Sequence, residues 1–209
     1  MIRRLRKTAG RTLRYLAQAL SWREPYVDQA IVAWSLLAGL CWLAVDGPAA
    51  DHWIRTGLLG LYLVAILAAV CAIDARFGII PDALVAALAA GGLAAVLLED
   101  PANAPQRMLE AAIAGAGLGV FRFCYRWLRG YDGMGFGDVK FLAAGTLWVG
   151  LTAVPLVVLI AVASALASIV LLKLQRQQVG GTSAIAFGPH LAVGLWLAWI
   201  VAPSALMMG

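Results

Sequence analysis

From Phe141 to Leu172 the chain runs for 32 residues without a charged side chain. A stretch of that length is at home in one solvent, the hydrocarbon core of a bilayer, which a helix crosses in about 20 apolar residues. Built as a single helix it would measure about 48 Å against a core of about 30 Å, so an interruption is expected. Gly150 and Pro155 supply one near its middle. The expectation is a short helix from about Val139 to Gly150, then a full one from about Ala153 to Lys173.

Four apolar segments come earlier, centred on 29–46, 57–74, 80–98 and 108–128, with the turn-rich stretches DGPAADH, DARFGIIPD and EDPANAPQR between them. A last segment covers about Ala184 to Leu206. The expected fold is therefore an all-α, polytopic transmembrane helix bundle of about seven spans. Composition excludes a soluble domain: 63% of the residues are hydrophobic and 13% charged, where soluble domains are about half apolar and about a quarter charged.

The basic residues assign the sides. Arg3, Arg4, Arg6, Lys7, Arg11, Arg14 and Arg23 crowd the N-terminus, and no small-residue cleavage site follows a short apolar core. Residues 1–28 read as a retained cytoplasmic arm, partly amphipathic, at an anionic membrane surface. Alternating sides from there puts all of the 16 basic residues except Arg55 and Arg107 in the cytoplasm. Treating Phe141 to Leu172 as one helix would push Lys173 and Arg176 outside, which favours the split. Residues 29–55 are then an extra N-terminal helix with its outer loop, and 56–209 a six-helix unit ending outside. The net charge of +5 follows from this topology; no basic patch interleaved with aromatics points to a nucleic acid.

Cys41, Cys71 and Cys124 are scattered singly with no CxxC pair, and His52 and His190 lie far apart. A metal centre, a disulfide framework and a histidine-based triad are not expected, and no cofactor motif is evident. Carboxylate chemistry remains. Asp74 closes the second span in AVCAIDARFGIIPD, and Asp138 opens the fifth in GMGFGDVKFLAAG. Both fall at the cytoplasmic face, so they can meet. Ionisable groups at such places are costly unless paired or hydrated, which makes them functional candidates. Two neighbouring carboxylates cannot easily both ionise, so one keeps a proton and the pair supplies a general base and a general acid, as an aspartic peptidase requires. Gly133, Gly135 and Gly137 alternate ahead of Asp138, and residues without a Cβ let a substrate strand come close. The following helix, about 13 residues or about 20 Å, would leave Asp138 recessed in a water-filled cavity.

The runs G-M-G-F-G-D-V-K from Gly133 to Lys140, D-A-R-F-G-I-I-P-D from Asp74 to Asp82, and A-F-G-P-H-L-A-V-G near the C-terminus closely resemble the type IV prepilin peptidases. These are the bacterial branch of the GxGD intramembrane aspartic proteases. The resemblance covers about Thr56 to Leu206. It implies Asp74 and Asp138 as the catalytic pair, no metal, and cleavage of prepilin or pseudopilin leaders at the cytoplasmic face of the bacterial inner membrane. Bifunctional members carry an added cytoplasmic domain with two CxxC pairs, linked to N-methylation of the new N-terminus. No such insertion is present in these residues, so the resemblance is to a peptidase-only form.

Other residues are weighed against plainer roles. Asp82 is expected to be a helix N-cap after Ile80-Pro81, and Asp132 a loop residue that would stand in if Asp138 were misassigned. Lys140 either holds negative charge at the site, where the family pattern also carries a Lys, or snorkels to the headgroups. Gly188 and Pro189 break the last helix and are candidates for a substrate groove. The small-residue stretches AALAAGGLAA and AAIAGAGLG are packing faces, and the tryptophans, Trp53 and Trp148 among them, read mostly as interfacial anchors. Two other classes are carried along: a proton- or cation-coupled transporter using the two aspartates, and a non-catalytic scaffold of a secretion machine.

Overall fold

The computed structural model describes residues 10–18, 50–131, 133–174 and 186–206. The expected span at 29–46, most of the basic arm and Asp132 lie outside them. The described elements are all helices: α1 at residues 10–18, α2 Ala50–Phe77, α3 Asp82–Glu99, α4 Ala104–Arg129, α5 Phe136–Val149, α6 Val154–Leu174 and α7 Gly188–Leu206, with short 3₁₀ turns at Pro101–Asn103 and Leu151–Ala153. Four segments are long and apolar enough to cross a bilayer, Gly57–Phe77, Asp82–Glu99, Pro101–Arg129 and Leu151–Val170, and Gly188–Val201 is a shorter apolar helix. The protein is a multi-pass membrane protein.

The long uncharged run breaks where expected. Gly150 takes φ +80°, a conformation L side chains resist, and the 3₁₀ turn at Leu151–Ala153 leads into α6, with Pro155 in its first turn. What precedes the break is a 14-residue helix, about 21 Å long and too short to cross a full hydrocarbon core alone. Two other left-handed glycines end helices: Gly78 (φ +62°) after α2 and Gly130 (φ +76°) after α4.

Small residues set the packing distances. Gly91 and Gly92 of α3 admit Tyr62 of α2 and Leu147 and Trp148 of α5 into space a Cβ would occupy, so the small-residue face of α3 is a packing face as expected. Of the second face, Ala114 is buried and Gly115 meets Ala143, whereas Gly117 and Gly119 have nothing close by. Trp148 departs from the interfacial expectation. It is 8% exposed, and its indole N–H donates to the Leu88 carbonyl at 2.8 Å; with a partner supplied inside the bundle, the ring has no need of the headgroups. Trp127, by contrast, is 79% exposed on α4.

The arm contributes at least one docked helix. In α1, Thr12 is buried, Tyr15 packs on Phe77 with ring centroids 5.0 Å apart, and Leu16 joins the core periphery. Arg76 donates to the Gln18 carbonyl. The 12/15/16 face thus turns toward the end of α2, while Arg11 and Arg14 stay exposed.

Candidate active site

On α2 the residues Leu63, Leu67 and Val70 form a buried stripe at spacings of four and three, and Asp74 is the next residue along it. Helical period therefore carries a carboxylate into the bundle, where it is 5% exposed. Its Oδ2 accepts the backbone N–H of Gly188, the first residue of α7, at 2.8 Å. A Cβ on Gly188 would stand 2.6 Å from that oxygen and 2.9 Å from the Asp74 Cβ, so the entire side chain would have to move. Gly188 is glycine because the aspartate sits on it. Pro189 follows in the first turn, half-buried, where its missing N–H costs nothing.

Asp138, half-buried, begins a face of α5 that the buried Phe141, Leu142, Gly145 and Trp148 continue. It lies three residues into the helix after the N-cap Gly135, and its carboxylate folds back toward that glycine. Oδ2 lies 3.0 Å from where a Gly135 Cβ would stand. The two aspartates are near enough for their charges to act on each other. Among the described residues the ion pairs are Arg107–Glu110 and Lys140–Asp82, and neither includes them.

The remaining glycines serve the same loop. Gly137 sits on Ile80, whose Cβ lies 3.2 Å from where a Gly137 Cβ would stand, so the start of α5 packs closely against the turn after α2. Gly133 packs on the Tyr125 ring. Gly133 and Gly135 keep an exposed side.

Two expectations change. Asp82 is not the N-cap of α3. Pro81, extended at φ −66° and ψ 136°, holds that place because its carbonyl accepts the first helical N–H groups from Leu84 and Val85. The Asp82 carboxylate is thereby free to bind the Lys140 ammonium at 2.7 Å. Lys140 accordingly ties α3 to α5 and lies 4.7 Å over the Phe136 ring. Sequence reading also passed over Arg122, used only to orient the chain. Its Nε donates to the Met134 carbonyl at 2.8 Å and its guanidinium covers Phe136 from 5.5 Å. Its place with Tyr125 and Arg126 on one helical face, at spacings of three and four, was the available signal.

The depth of the site follows from helix register. Gly194 packs on the Val157 carbonyl and His190 bonds to Ser164, so α6 and α7 run antiparallel. Extending that register sets Gly188 beside about residue 165, and α6 continues to Leu174, about nine residues or about 13 Å further. The α7 N-terminus, and Asp74 with it, is sunk below the end of α6.

Residues 61–172 match the type IV leader peptidase family, a span that includes both aspartates. Proteins named "Prepilin leader peptidase/N-methyltransferase" are similar along most of the chain. One from Burkholderia pseudomallei (strain 1026b) is 37% identical over 186 residues, covering 87% of this chain and 55% of the relative. One from Dickeya chrysanthemi is 34% identical over 176 residues, covering 84% and 58%, and one from Aeromonas hydrophila 33% over 180 residues, covering 86% and 58%. The chain thus spans between half and two thirds of the length of these relatives. No solved structure matches it. With more than half of its residues matched, the chain belongs to the type IV leader peptidase family.

Proposed function

We propose that the protein is a membrane aspartic endopeptidase that removes the leader of type IV prepilins or pseudopilins at the cytoplasmic face of the membrane, with Asp74 and Asp138 as its catalytic dyad. The observation that carries this is the buried carboxylate of Asp74 on α2 and the half-buried one of Asp138 on α5, near enough for their charges to act on each other and neither neutralised by a described ion pair. A buried acid kept at such cost has a use. One carboxylate takes a proton from water as its oxygen adds to the scissile carbonyl; the other gives its proton to the leaving nitrogen as the C–N bond breaks. A site about 13 Å below the end of α6 suits a substrate whose cleaved bond adjoins a membrane-embedded helix.

Incubating purified protein with candidate prepilins in detergent, and reading the new N-terminus by mass spectrometry, tests the assignment directly. The expected product is a shortened pilin with a free α-amine, formed equally well with zinc chelators present and S-adenosylmethionine absent. Methyl transfer lies outside this reading because these 209 residues contain three single cysteines and no CxxC pair. A methylated product from the purified protein and donor would overturn that part and spare the peptidase. The orientation, N-terminus in and C-terminus out, is tested by reporter fusions at Arg14, Asp100, Gln177 and Gly209. A cytoplasmic signal at Gly209 would break it.

A further inference from the structure

The N-terminus of α7 holds the Asp74 carboxylate with a backbone group, and a backbone donor is aimed only as well as the helix end that bears it. One polar contact fixes that end from the side. His190, two residues after Gly188, has its Nδ1 at 2.7 Å from the Ser164 Oγ of α6. Ser164 Oγ also donates to the Ala161 carbonyl at 3.1 Å. A hydroxyl has one hydrogen, so with it on Ala161 the imidazole Nδ1–H donates to Oγ. The ring is further set by Phe187, 6.4 Å away between centroids, and the Leu191 N–H closes the first turn on the Phe187 carbonyl.

A plain helix–helix clamp would not need these groups. Gly194 against the Val157 backbone already sets the approach of α6 and α7, one full turn deeper in the bundle. The serine and histidine lie where the register reaches Gly188, and there apolar side chains would pack as closely without a hydrogen bond. We propose that Ser164 and His190 are positioning residues, which hold the first turn of α7 so that the Gly188 N–H stays on the Asp74 carboxylate. The proposal rests on the reading of Asp74 as catalytic and adds to it two residues that touch neither the carboxylate nor a substrate.

The test uses steady-state cleavage of a prepilin peptide by the full chain in detergent, with Ser164→Ala, His190→Phe, the double variant, Ser164→Thr and Asp74→Asn measured together. His190→Phe keeps a ring beside Phe187 and removes the Nδ1–H donor. Ser164→Ala and His190→Phe are each expected to lower kcat about tenfold with KM unchanged, as a slight misplacement of a reacting group does. The double variant should be no slower than either single one, since both remove the same bond, and Ser164→Thr should restore most of the rate. Unchanged kcat in the single variants, an effect confined to KM, or multiplying losses in the double variant would each overturn the proposal. Were Asp74→Asn to cleave normally, the catalytic reading itself would fall; an inactive Asp74→Asn beside full-rate Ser164 and His190 variants would sink only the positioning role.

Discussion

Two carboxylates at opposite ends of the bundle do the same structural job in different surroundings. Asp74 reaches from α2 to accept the first N–H of α7, from Gly188. At the other end Glu110 reaches from α4 to accept the N–H of Leu151, which opens the 3₁₀ turn into α6, at 3.1 Å. Glu110 is also met by Arg107 at 3.5 Å and by the Gln106 amide at 3.0 Å, and its side chain keeps 20% of its exposure. Asp74 is buried, with a second carboxylate as its charged neighbour. Capping a helix start is a common use for an acid. A cap that is neutralised and half-wet explains itself structurally; one that is buried beside another acid does not. The pairing of Arg107 with Glu110 also accounts for one of the two basic residues that stand outside the positive-inside pattern.

The largest expected effect separates the two ends. Asp74→Asn and Asp138→Asn should each lower cleavage by at least about 100-fold, with thermal unfolding in detergent little changed, because an amide oxygen still accepts the capping N–H. Near-normal cleavage by either variant would reduce Asp74 to another Glu110. Asp82→Asn, in the same assay, should cleave normally.

Gly188→Ala comes next. Its new Cβ displaces the Asp74 side chain, and a loss of about tenfold or more in kcat is expected from that displacement. Gly150→Ala is its counterpart at the other end: φ +80° and the Arg107 guanidinium both oppose a side chain there. It should destabilise by about 1–3 kcal/mol while folded protein cleaves at the normal rate. Equal losses of activity in the two alanine variants would show that the ends are not separable.

Glu110→Ala should lower stability by about 1–3 kcal/mol, the cost of stranding the Leu151 N–H, again without changing kcat. Smallest of all is Lys140→Met. The Lys140–Asp82 pair is 36% and 70% exposed, so about 0–1 kcal/mol is at stake, measured by the unfolding midpoint. A much larger drop in cleavage than in stability would return Lys140 to the site chemistry.

Much of the fold was legible in the sequence because a bilayer leaves a chain few choices. Spans, their turns and the break at Gly150 follow from runs of apolar residues and from the residues that interrupt them. Asp74 and Asp138 stood out for the same reason. Trp148 was misread because an indole suits either a headgroup or a buried carbonyl, and only the carbonyl of Leu88 on a neighbouring helix decides between them. Asp82 was misread because an acid after Ile-Pro fits an N-cap, while its partner, Lys140, is 58 residues away.

The sequence by itself determined that this chain is an all-helical membrane protein with two acids at helix ends, since charge and hydropathy act locally on each segment. Only the tertiary structure decided what surrounds those acids. The Gly188 N–H on Asp74 joins residues 114 apart, and the sunken start of α7 depends on the register of α6 against it. Such contacts are set by how small residues let helices approach, a property of pairs of helices that no single segment encodes.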